Sequence, residues 1–211
     1  MAFAQYLIWF FILPSVFYGC STTTVYEPVG YDHLFGKRAL VLEAVSQQPL
    51  DKSIHNMVVD SFELQLSQSP NVKKVLSRAD FRRLVSGDAL LLRDYNVFSE
   101  TLAVVGVTER TLTRRIGAAV QVDILVLVQP LFVPCNFCED KNRFVLTGHV
   151  VDVESGHHLW RANLQKSLAV PTPESIEAAA RELNEKLLDE LNASFQPKWH
   201  RLRFEQLAAS N

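Results

Sequence analysis

Apolar positions along this chain repeat with two different periods, and the switches between the periods mark out its elements. Ala39 to Val45 is an apolar run of strand length, closed by Gln47, Gln48 and Pro49. Asp51 is placed to cap a helix whose residues Ile54, Val58, Phe62 and Leu66 recur every four positions, with Met57 widening the stripe and Ser69-Pro70 ending it. Val72 to Leu76 is a second strand, interrupted by Lys73 and Lys74 and therefore expected near a sheet edge. A short helix follows over Ala79 to Val85. Residues 88 to 105, with Leu90, Leu91, Leu92, Val97, Phe98, Leu102, Val104 and Val105, suit a helix or a loop folded onto the core, and a helix is expected. Thr108 then caps a helix to about Val120, with Leu112, Ile116 and Ala119 inward and Arg110, Arg114 and Arg115 in water.

Asp123 to Val128 is apolar without alternation after its first residue, which predicts a strand covered on both faces. Beyond Pro130 and a loop holding Cys135 and Cys138, Arg143 to Glu154 reads as a long strand. Ser155-Gly156-His157 turns it back into Leu159 to Leu168, a hairpin. Thr172 and Pro173 open a last helix to about Phe195, with Ile176, Ala180, Leu183, Leu187 and Leu191 inside and Glu174, Glu177, Glu182, Glu185 and Glu190 outside. These elements predict one α/β (α+β) domain over residues 37–197: a mixed sheet of about four to five strands with a carboxy-terminal β-hairpin, flanked by helices.

The amino-terminal pattern is of another kind. Residues 7–18 form a run of largely apolar residues too short to cross ~30 Å of hydrocarbon as a helix, and of the length of a signal-peptide core. Gly19, Cys20 and Ser21 follow at once, an arrangement that resembles a bacterial lipobox. Two features depart from that pattern: Phe17 and Tyr18 precede Gly19, and residues 1–19 contain no Lys or Arg. The resemblance implies a signal peptide over 1–19, lipid attachment at Cys20, and a lipidated tether over 20–36. Fully stretched, residues 21–36 reach at most about 55 Å. Ser21 after the cysteine, where Asp is absent, points by analogy to an outer-membrane lipoprotein facing the periplasm.

The chain has 211 residues, 48% apolar and 21% charged, with a net charge of −2 and three Cys, which excludes a disordered chain and a disulfide-dense miniprotein. Near-zero charge also argues against a nucleic-acid partner. Charge is nonetheless uneven. Lys73, Lys74, Arg78, Arg82 and Arg83, against Asp80, predict a basic face able to meet anionic headgroups, with a solubilising face as the plainer reading. Residues 198–211 begin as a basic-aromatic tail, Lys-Trp-His-Arg-Leu-Arg-Phe, that suits a partner, a membrane surface or its own domain.

Cys135 and Cys138 are the one constellation able to carry a reaction. In an exported chain they read first as a local disulfide. The alternative is a membrane-tethered thiol-redox or metal-binding protein using the same pair, with His149, His157 and His158 on the neighbouring hairpin. Adjacent residues of a strand point to opposite faces, so His157 and His158 should not reach one ion together, and His149 is expected to be a hydrogen-bonded core residue. No metal or other cofactor is expected. Thiol counting under native conditions separates the readings: no free thiol at Cys135 and Cys138, together with no loss of function in the double Ser variant, would leave only the structural disulfide. Asp152 and Glu154 share a strand face and are expected to be solvated. The chain has no Gly-x-Ser-x-Gly, His-Glu-x-x-His, phosphate-cradling loop or dinucleotide fingerprint, and no catalytic residue is expected.

Four landmarks, in order, resemble the fold group of CsgG-type secretion lipoproteins, the TolB amino-terminal domain and LpoB-type activators of penicillin-binding proteins. They are Val75-Leu76-Ser77-Arg78 before a helix through Phe81 and Leu84; Ile116 to Val126, a helix end passing through Gly117-Ala118-Ala119 into a strand; Val150 to Gly156; and Leu159-Trp160. Gly156 suits the positive φ of a tight turn, and Trp160 suits burial against the last helix with its N–H on an acceptor. The resemblance implies a non-enzymatic envelope protein that binds an envelope or secretion-machinery partner, some members acting as homo-oligomers. Two departures limit it: neither 87–105 nor 131–145 alternates over the nine or more residues that a membrane-barrel strand requires, and residues 21–36 are not a long Pro-rich tether.

Overall fold

The computed structural model describes residues 21–26, 35–43, 50–134 and 142–195. Cys20, Cys135 and Cys138, the expected signal peptide over 1–19 and the expected basic-aromatic tail over 198–211 lie outside the described residues. The elements in chain order are β1 (Ser21–Tyr26), β2 (Arg38–Glu43), α1 (Lys52–Gln68), β3 (Lys74–Leu76), α2 (Arg78–Ser86), α3 (Ala89–Val105), α4 (Arg110–Val120), β4 (Ile124–Val133), β5 (Asn142–Asp152), β6 (His158–Leu168) and α5 (Pro173–Phe195). The six strands form one mixed sheet in the order β1-β6-β5-β4-β2-β3. β2 is parallel to β3 and β4, and β4, β5, β6 and β1 are joined antiparallel.

β4 shows why three layers form. Its residues Ile124, Val126 and Val128 enter a core with α1 and α5, and Leu125 and Leu127 enter a second core with α2, α3 and α4. Both faces are dry, as unbroken apolarity requires. The first core holds Val58, Val59, Phe62 and Leu66 of α1 and Leu183, Leu187 and Leu191 of α5. The second holds Phe81, Phe98, Leu102 and Ile116. Among the described residues no helix is long and apolar enough to cross a membrane.

Local chemistry sets the helix ends. Asp51 accepts from the Ser53 amide at 2.7 Å, Ser77 from the Asp80 amide at 3.0 Å, and Asp88 from the Leu90 and Leu91 amides at 2.9 and 3.0 Å. α3 is a full helix, ended by Gly106 at φ 72°. Thr108, expected to cap α4, instead donates its hydroxyl to the Gly156 carbonyl, and Glu109 occupies the cap position without a side-chain bond. Ala119 is exposed, and Gly117 and Val120 take the buried positions toward the sheet.

Three features of the strands, beside small shifts of their limits, depart from the sequence pattern. Ser21–Tyr26, inside the segment read as tether, pairs with β6 from Ser21 opposite Lys166 to Tyr26 opposite Arg161. β4 runs through Pro130 to Val133: its pairing with β2 stops at Val128, so a residue without an N–H is tolerated beyond that point. β6 carries a bulge, with Val150 opposite Trp160 and Val151 opposite His158. The extra residue reverses the side-chain alternation between positions 158 and 160.

The hairpin turn is fastened to α4. The Gly156 amide donates to the Asp152 carbonyl at 2.9 Å, Asp152 accepts from the Ser155 amide and hydroxyl at 2.8 Å each, and Gly156 sits at φ 72°. A Cβ there would lie 2.8 Å from the Arg110 Cα. Gly156→Val should therefore lower stability by about 1–3 kcal/mol, from both backbone strain and crowding. Urea titration checks this, and an unchanged midpoint would contradict the turn.

Candidate functional site

The carboxyl end of β2 gathers more charge than any other place among the described residues. Glu43, the last residue of β2, receives the Arg78 guanidinium at 2.7 Å and that of Arg82 at 2.5 Å, and Arg78 also bonds Asp60. The Arg78 amide donates to Glu63 at 2.9 Å. On the other side the Tyr95 hydroxyl donates to the Glu43 carbonyl at 2.8 Å, and the Ser99 hydroxyl does so at 3.3 Å. Burial, then the neighbouring Glu43 charge, pushes the Tyr95 hydroxyl well above its ordinary pKa. Burial likewise lowers His55 nearby.

Beside this network lies a cavity of 230 Å³ with largely apolar walls, among them Leu42, Phe81, Val85 and Leu92. The ring of Phe81 meets Tyr95 edge-on at 5.2 Å. Every charged group on its rim is already paired, so the arrangement supports packing of an apolar group more than any proton transfer. It also revises the expected basic face. Arg78 is buried in ion pairs, Arg82 is held by Glu43, and Arg83 lies 3.6 Å from Asp80. Lys73 and Lys74 are exposed at the other end of the parallel strands.

The histidines are arranged differently from the sequence reading. Because of the β6 bulge, His158 stands on the same sheet face as His149, and their rings meet edge-on at 5.5 Å. His149 is buried, yet its Nδ1 has no hydrogen-bond partner among the described residues, and neither does the Nε2 of His158. The histidine expected to be hydrogen-bonded in the core is thus left without a partner at Nδ1 among the described residues. His158 bonds the backbone of Gly106, and Arg161 adds positive charge to the pair. Burial first, then His158 and Arg161, lower the His149 pKa to about 3. Among the described residues no group of three or more His, Cys, Asp or Glu could hold a metal ion.

The sign of the pH dependence follows. The unfolded chain binds a proton at His149 near its ordinary 6.5 that the folded chain refuses down to about 3, so this contribution to stability is full above 6.5 and declines as pH falls through that window. At pH 5 the loss should be about 2 kcal/mol relative to pH 7.5. Denaturant titrations of the wild type and His149→Leu check it: the variant should lose that part of the slope, and equal slopes would contradict the assignment.

Trp160 is fully buried against α5, with Gly148 and Leu187 around its ring. A Cβ on Gly148 would lie 2.8 Å from the Trp160 ring and 3.1 Å from Leu187, so only glycine leaves room for the indole. The indole Nε1 has no hydrogen-bond partner among the described residues, contrary to the expected acceptor. Gly148 was detectable as a lone glycine inside a strand pattern, a sign of close approach. Glu154, expected in solvent, pairs with Arg110 and Arg114 at 3.4 and 3.0 Å on an exposed surface.

Among the described residues, α3 carries an exposed apolar surface. Leu90, Val97 and Val104 recur every seven residues on the outer side of α3 and are 65%, 44% and 67% exposed, and Val105 and Val107 continue the patch.

No family model matches the chain, and no curated protein matches it. Among solved structures it is similar to the PelC dodecamer from Paraburkholderia phytofirmans, at 11% identity and TM-score 0.43 over 82% of this chain and 98% of that one. It is similar to lipoprotein GNA1162 from Neisseria meningitidis, at 12% identity and TM-score 0.44 over 72% and 98%. A third likeness is to the hypothetical protein CT253 from Chlamydia trachomatis, at 10% identity and TM-score 0.49 over 76% and 98%. At such values these likenesses assign neither a family nor an activity to this chain. The resemblance to CsgG-, TolB- and LpoB-type proteins is carried by the four sequence landmarks alone.

Proposed function

We propose that this protein is a non-enzymatic bacterial envelope lipoprotein whose α/β domain binds a protein partner beside the membrane, contributing to assembly, secretion or maintenance of a cell-surface structure. The observation that carries the reading is the apolar run over 7–18 followed directly by Gly19 and Cys20, with the folded sheet beginning at Ser21. Two or more acyl chains on that cysteine would hold the domain far more firmly than one. The exposed residues Leu90, Val97 and Val104 offer a partner three apolar anchors spaced about two turns apart. An outer-membrane address facing the periplasm follows from Ser21 by analogy.

Fractionation tests the anchor. The wild type should sediment with membranes and be released by detergent, and Cys20→Ser should shift to the soluble fraction or stay as an unprocessed precursor. A processed Cys20→Ser protein that still sediments as the wild type does would contradict the proposal.

A further inference from the structure

The sheet begins one residue after the cysteine that the proposed function makes the lipid anchor. Ser21 already pairs with Lys166 of β6, Lys166 with Phe144 of β5, and Phe144 with Phe132 of β4, so four strands share one row. Past that row β4 ends at Val133, β5 starts at Asn142 and β6 ends at Leu168. Adjacent Cα atoms are about 3.8 Å apart. Cys20 therefore stays within a few ångströms of this end of the sheet, and no free tether lies between the two.

Resting on the lipoprotein reading, we propose that this end of the domain, formed by Phe132 to Pro134, Leu168 to Pro171 and the first turns of α1 and α5, lies directly on the bilayer that holds the Cys20 acyl chains. The chemistry there fits a lipid surface. Val170 is 66% exposed, and a recess of 290 Å³ opens between the two helix starts, walled by Leu50, Ile54, Phe132, Pro171, Pro173 and Ile176. Asp51 and Glu177 stand on its rim, Glu174 is in the first turn of α5, and the exposed Lys52 and Arg143 lie at the same end, so the charge there is mixed and the contact is apolar and steric, with no call for anionic headgroups.

The hairpin turn Ser155–His157 is carried away from the lipid, since the eight steps from Phe144 to Asp152 span about 26 Å at ~3.3 Å per residue. Lys73 and Lys74 lie at the start of β3, level with Arg38 and likewise at the far end. Of the cations that the sequence suggested for a membrane, Lys73 and Lys74 are thus held away from it, and Arg78 and Arg82 are engaged by Glu43.

The test uses the acylated full-length protein, its modification verified by intact mass, in phosphatidylcholine vesicles. It is compared with a variant carrying about twelve Gly and Ser residues between Cys20 and Ser21, roughly 20 Å of added reach. Amide exchange read by mass spectrometry should be several-fold slower in the parent than in the spacer variant over 130–134 and 168–174, and equal over 153–158 and 72–76. Added salt should leave the difference in place. Equal exchange over 168–174 in two acylated proteins, or protection at 153–158, would overturn the orientation and leave the anchor standing. An unacylated Cys20 would overturn both.

Discussion

Trp160→Ala should lower stability by about 3–5 kcal/mol, a large part of the ~5–15 kcal/mol that holds a domain of this size together. The indole is the largest fully buried side chain among the described residues. Its ring lies against the bare backbone of Gly148 and the Leu187 side chain of α5, so it joins both hairpin strands to the closing helix. Removing it leaves a void that Gly148 cannot fill, because glycine has no side chain to move inward. Trp160→Phe should cost much less, about 1–2 kcal/mol, since it keeps most of the volume and removes an indole N–H that has no acceptor. Equilibrium urea titration of the two variants checks both values. An alanine variant within 1 kcal/mol of wild type would show that the hairpin is not packed this way.

The second large effect is expected at Arg78. Its side chain is buried, with one guanidinium nitrogen on Glu43 and another on Asp60, while its amide is held by Glu63. It therefore ties the end of β2 to α1 at the first residue of α2. Arg78→Ala should cost about 2–4 kcal/mol, toward the lower part of the range for a broken buried pair. Glu43 keeps Arg82, and the Asp60 side chain is 65% exposed and can turn to water. Arg78→Lys should recover less than half of the loss, because an ammonium cannot serve two carboxylates in the fork geometry of a guanidinium. Thermal and denaturant unfolding give the comparison; a lysine variant as stable as wild type would mean that charge alone is needed there.

Much of this architecture was legible in the order of apolar residues. Ile54, Val58, Phe62 and Leu66 mark one helix face, and the continuous run Ile124 to Val128 marks a strand with a core on each side. What escaped depended on long-range partners. Ser21 to Tyr26 is rich in Thr, a good strand former, but an edge strand exists only when β6 is there to receive it. Arg78 sits among cations in sequence, and its counter-charges lie 35 and 18 positions away. The bulge that brings His158 to the face of His149 follows from the fit of one strand to another and has no local signature. Thr108 is spelled like a cap, but the Gly156 carbonyl competes for its hydroxyl. The three cysteines were conspicuous in sequence, and all lie outside the described residues.

The anchor, the envelope role and the membrane-facing end of the sheet all depend on the chemistry of residue 20, and intact mass spectrometry of the protein purified from its own membranes addresses it directly. The expected species begins at Cys20 and carries a diacylglyceryl group on sulfur with a further acyl chain on the new amine. A mature chain with an unmodified sulfhydryl at Cys20, or one that retains residues 1–19, would contradict the anchor, the envelope role drawn from it and the membrane-facing end of the sheet.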